Sequence, residues 1–178
     1  MNLEQLQYPI GKPQIPEHIT PKHISDWITV LENFPQRLRD LVKNLSQEQL
    51  NTQYRPGGWT VRQVIHHLSD SHHNSYTRFK WTLTETQPLI KAYYEDRWAE
   101  LFDSKSAPIA LSLDTMTALH AKWVYFLKGL TESDLGQIFI HPEGNEKVSL
   151  KENIGIYAWH CNHHYEHINQ LLIRCGWI

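Results

Sequence analysis

Apolar residues recur every three or four positions through Ile24, Trp27, Ile28, Leu31, Phe34, Leu38, Leu41, Val42 and Leu45, the period of a helix with one face toward a core. Thr20-Pro21 supplies its start, an N-capping hydroxyl followed by proline at the first helical position, and Pro35 within it predicts a kink. Ser46-Gln47-Glu48-Gln49 reads as a capping box for a short helix ending before the turn "YRPGGW". Thr60-Val61-Arg62-Gln63, a second capping box, opens a long helix carrying Val61, Val64, Ile65, Leu68, Phe79 and Leu83 that ends before Pro88. A third long helix starts near Ser112, runs through Leu113, Met116, Leu119, Trp123, Phe126 and Leu127, and stops at Gly129. Alternation in "GQIFIHPEGNEKVSL" predicts a short hairpin. Ser149-Leu150-Lys151-Glu152 then caps a last helix that Gly176 terminates. Residues 1–20, polar and interrupted by proline, predict an extended N-terminal arm, and residues 1–178 together a single domain. The expected fold is all-α, a four-helix bundle with one long crossover and a small hairpin insertion.

Composition narrows the partners. A formal charge of −2 offers no excess of cations for phosphates, which excludes nucleic acid as the expected ligand. No run of about 18 apolar residues exists to span a membrane, and the start "MNLEQLQYPIGKPQIP" lacks the basic and apolar regions of a signal peptide. Cys161 and Cys175 lie on one helix, about 14 residues or ~21 Å apart by helical rise, too far to bridge. A reduced, cytoplasmic setting follows. The sequence contains no phosphate loop, dinucleotide fingerprint or nucleophile elbow, and no Glu-x-x-His for a di-iron site.

The unusual feature is 12 histidines, four of them in "WHCNHHYEHI" at 159–168. With the last helix centred on Ile154, Tyr157, Cys161, Ile168 and Leu172, His164 lies roughly 50° and His160 roughly 90° from the apolar stripe. Two imidazoles at i and i+4 on one face can chelate a single ion. His163 lies roughly 150° away, beside Trp159 and Glu166 on the face expected to be wet. His163 to His167 also matches H-x-x-E-H, an inverted zinc-protease motif. That reading needs a further ligand downstream, however, and only 11 residues follow. A third ligand for the inward pair must come from another helix, and His66, His67, His72, His73 and His120 are the candidates. Periodicity puts His72 near the centre of its stripe, His67 at its margin and His120 beside the stripe of the third helix, which leaves the choice open.

"GGWTVRQVIHHLSDSHHNSYTRFK" at 57–80, "YAWHCNHHYEHI", "YPIG" at 8–11 and the closing "GW" together resemble the DinB/YfiT-type metalloprotein superfamily, over essentially the whole chain. The likeness is greatest to its YfiT branch of metal-dependent hydrolases, related to bacillithiol transferases. The resemblance implies that His67, in His67-Leu68-Ser69-Asp70, joins His160 and His164 in binding one divalent metal per subunit, zinc or nickel in class. It implies a homodimer, and leaves His66, His73, His163 and His167 at the surface or behind the ligands. Three neutral imidazoles leave a position open, as in catalytic zinc-type sites. The expected activity is hydrolysis of a small-molecule substrate by metal-activated water. The alternatives are transfer of a low-molecular-weight thiol to an electrophile, or a non-catalytic ligand-binding dimer. Asp70, one turn beyond His67, is the candidate to orient an imidazole. Of the seven tryptophans some are expected to line a pocket and most to pack.

Overall fold

The computed structural model describes residues 2–178. A short α1 (Leu3–Gln7) precedes the long α2 (Pro21–Val42), and α3 (Gln47–Leu50) and a glycine turn lead into α4 (Val61–Thr84). A crossover with α5 (Glu95–Ala99) and α6 (Phe102–Ser106) reaches α7 (Ile109–Lys128). Then follow α8 (Glu132–Leu135), strands β1 (Ile138–His141) and β2 (Glu146–Ser149), and α9 (Leu150–Arg174). The three capping boxes read from the sequence are all formed, Ser46 with Gln49, Thr60 with Gln63 and Ser149 with Glu152. Each satisfies two backbone donors that a helix start leaves without partners, and each cap contributes about 1 kcal/mol.

α2 packs on α7 and α9, and α4 packs on the same two. Around the bundle the order is therefore α2, α9, α4, α7, so the first two long helices of the chain stand on one diagonal and the last two on the other. Leu31, Phe34 and Leu38 of α2 meet Leu68 and Phe79 of α4, Met116 and Trp123 of α7, and Ile154 and Ile168 of α9 in one buried cluster. Burying each such side chain stabilises the fold by about 1.5–3 kcal/mol. The predicted hairpin is present and antiparallel, pairing Ile138 with Ser149 and His141 with Glu146. The crossover is tied to it where Ile90 N–H donates to the Ile140 carbonyl at 3.0 Å.

α4 ends at Thr84, before Pro88 as expected, with Glu85 extended. Other details differ from the sequence reading. α7 begins at Ile109, directly after Pro108. α2 runs unbroken through Pro35, whose ring is buried. The arm is not wholly extended. Asn2 and Gln5 form a capping box for α1, and Ile15 packs against Gly155 of α9, where a Cβ would approach within 2.8 Å of Ile15 Cδ1.

Candidate metal centre

α4 and α9 lie side by side, and between them, roofed by the 54–59 turn and the N-terminal arm, is a cavity of about 470 Å³. His67 of α4 and His160 of α9 meet at its floor with their Nε2 atoms 3.3 Å apart. His164, one turn along α9, has its ring 4.5 Å from that of His160 and 4.8 Å from that of His67. One nitrogen from each of the three lies within 4.8 Å of the others. Two nitrogens each about 2.0–2.1 Å from a tetrahedral ion would stand about 3.3 Å apart, so the His67–His160 spacing suits a shared cation. Burial first, then the neighbouring histidines, holds all three rings neutral: His67 is lowered to about 4, and His160 and His164 lie well below the ordinary histidine range. Neutral imidazole is the form that ligates metal.

Two hydrogen-bonded chains settle which nitrogen His160 and His164 each present to the cavity. His120 Nδ1 lies 2.7 Å from the Leu31 carbonyl, and a carbonyl only accepts, so this nitrogen carries the proton. His120 Nε2 must then accept from His72 Nδ1 at 2.7 Å, and His72 Nε2 from His160 Nδ1 at 3.2 Å. His160 Nε2 is left as a bare lone pair facing His67. On the other side His167 Nε2 donates to the Gln7 carbonyl at 2.9 Å, so its Nδ1 accepts from His164 Nδ1 at 3.3 Å and His164 Nε2 is bare. One proton per ring satisfies both chains, and burial keeps every member neutral.

The turn positions the roof. Gly57 has φ +66°, and a Cβ on Gly58 would come within 2.7 Å of Arg55 Cγ, so the tight "PGG" bend needs glycine at both places. It sets Trp59 over His67, ring centroids 4.7 Å apart, and Tyr54 on His167 at 4.0 Å.

The structure brings His67, His160 and His164 together and places the other candidates around them. His72 is fully buried, as its stripe position predicted, but points at His160 and His120 rather than into the cavity. His66 is buried: its Nε2 donates to the Ala107 carbonyl and its Nδ1 accepts from Ser112, tying α4 to the end of the crossover. His73 is exposed. Asp70 does not hydrogen-bond to His67. Its carboxyl sits toward Asp103 of α6, and burial together with that charge raises it to about 6.

The outward reading of His163 and His167 is corrected: both are buried and line the cavity. Single-helix periodicity cannot see the arm, which covers this face where Tyr8 lies beside His163 and Trp159 Nε1 donates to the Gly11 carbonyl. His163, His164 and His167 form a second cluster with ligand-like spacing. A neutral His164 serves one cluster at a time, because its Nδ1 proton is engaged by His167 and only Nε2 is free. Two of the tryptophans, Trp59 and Trp159, line the cavity, while Trp123 is buried in the core.

Three neutral imidazoles gathered from two helices of a four-helix bundle, with a cavity above them, define a helical bundle with a histidine cluster able to hold a metal ion. The chain belongs to the DinB superfamily, whose family model matches residues 31–168. A protein of Oceanobacillus iheyensis, provisionally named a metal-dependent hydrolase, is 48% identical over 96% of this chain and 98% of its own length. A similarly named protein of Bacillus cereus is 49% identical over 98% of this chain and all of its own. The solved structure of YfiT from Bacillus subtilis, described as a probable metal-dependent hydrolase with an unusual four-helix bundle topology, superposes with a TM-score of 0.96. It has 45% identity over 98% of this chain and 99% of that one. Among the described residues no helix is long and apolar enough to cross a membrane.

Proposed function

We propose that the chain is a metal-dependent hydrolase acting on a small molecule, with one divalent ion of the zinc or nickel class held by His67, His160 and His164. The observation that carries this reading is the convergence of bare Nε2 atoms from α9 with His67, at 3.3 Å for the closest pair, on the floor of a cavity. Bound there, an ion with an open position supplies Lewis-acid activation of water or of a carbonyl at neutral pH. The protein's part is to keep three imidazoles unprotonated, to aim their lone pairs at one point, and to narrow access with Trp59, Tyr54 and Tyr8. The names of the Bacillus and Oceanobacillus relatives support the same reaction class. The reading includes a homodimer, which light scattering on the eluting protein tests.

Metal content of the untagged protein decides between the two clusters. About one ion per chain, lost in His67→Ala, His160→Ala and His164→Ala but kept in His163→Ala, is expected. Retention in His67→Ala with loss in His163→Ala would move the centre to the second cluster. With the ion in place, cleavage of esters or amides without added thiol is expected. Consumption of an added low-molecular-weight thiol with an electrophile would instead assign a thiol transferase, and neither activity across a broad panel would favour a ligand-binding module.

A further inference from the structure

Arg78 projects from α4 into the same cavity as His160 and Ser71, and it is 9% exposed. Its Nε–H is buried with no hydrogen-bond acceptor, and among the described residues no carboxylate pairs with it. Arginine is almost never buried without a partner, because removing its charge from water costs several kcal/mol unless an anion or a set of acceptors replaces the solvent. Arg62, also on α4, has all three guanidinium nitrogens bonded, to Asn51, the Ala107 carbonyl and Gln47. The acidic residues that share the cavity, Glu95, Asp96 and Glu143, are all exposed, where solvent screens them.

We infer that Arg78 is the anion-recognition residue of the site, and that the substrate is a small molecule carrying a carboxylate or a similarly planar oxyanion. The planar guanidinium offers a fork of donors that matches such a group in two parallel hydrogen bonds. His67 and Arg78 are 11 residues apart on α4, about 16 Å by helical rise, and helical side chains lean toward the N-terminus, so the guanidinium stands nearer the histidines than its backbone does. A substrate held there by its anionic end reaches the three histidines with its other end. This specificity role rests on the hydrolase reading for its reaction, but anion capture by Arg78 is a separate property and is tested separately.

The test titrates the full-length protein with butyrate and, in parallel, with the neutral isostere butyramide, following the Arg78 Nε–H resonance by NMR and affinity by calorimetry. Butyrate is expected to shift that resonance and butyramide to leave it in place. Binding should fall roughly 30-fold or more in Arg78→Gln and less in Arg78→Lys, which keeps a point charge without the fork. It should survive in His67→Ala, which removes a proposed metal ligand. An unmoved Arg78 resonance in the wild-type protein overturns the inference whether or not the variants fold. So does butyrate binding that persists in Arg78→Gln and vanishes in His67→Ala, which would place the anion on the ion instead.

Discussion

His72 never reaches the cavity, yet it stands between the proposed ion and a backbone carbonyl on the far side of the core. Its ring accepts from His160 and donates to His120, and His120 donates to Leu31. Replacing it with phenylalanine keeps an aromatic ring among Phe34, Trp123 and Tyr157 but leaves the half-buried His160 Nδ1 proton without an acceptor. His72→Phe is therefore expected to weaken zinc binding about 10–100-fold with helicity retained, as read by competition with a chromophoric chelator. Unchanged affinity would mean that the chain does not orient His160. This is also where the sequence was least legible. Periodicity sees that His67 and His72 are both near an apolar stripe, and both are indeed buried. Which one faces its own core and which faces the cavity depends on where α9 sits, and one helix does not carry that information.

At the level of elements, legibility followed length and chemistry of the ends. The long helices declared themselves because an apolar stripe lasts for 20 or more residues and a capping box marks the start of α4 and of α9. α5 and α6 have five residues each and no side-chain cap, so they leave no periodic trace. The arm was legible only as polar and proline-rich, although it buries His163 and supplies the Gln7 carbonyl to His167. Its docking point is Gly155, where a Cβ would meet Ile15 Cδ1 at 2.8 Å and the Trp27 ring at 2.9 Å. Gly155→Ala gains up to about 1 kcal/mol of helix propensity and loses about 1–3 kcal/mol to overpacking. The expected net result is a looser arm, seen as a red shift of tryptophan emission and faster proteolytic cleavage within residues 2–20. Cleavage no faster than in the wild type would show that the ring and the isoleucine yield without undocking.

For the whole molecule, the buried histidines dictate how stability responds to acid. Unfolded imidazoles take up protons near pH 6.5. In the fold eight of them, His66, His67, His72, His120, His160, His163, His164 and His167, are held neutral below that, several to about 4 and His163 to about 3. Between about pH 4 and 6.5 the unfolded chain binds more protons, so stability rises with pH across this window and is lost as acid is added. Asp70 opposes this, since a carboxyl raised to about 6 lowers stability as pH rises from its ordinary 3.8. One group against eight does not reverse the sign. Chelator-treated protein should show a Tm that falls steeply from pH 7 to 4.5 in thermal scans, and a flat profile would contradict neutral burial of the cluster. The bond from His167 to Gln7 has a different kind of consequence, for it joins residues 160 positions apart. On the ribosome, the arm emerges well ahead of α9, and the Gln7 carbonyl must wait for that helix before it has His167 to accept from. A nascent chain stalled ahead of residue 160 lacks two of the three proposed ligands, so the proposed three-histidine site can be completed only after α9 has been made.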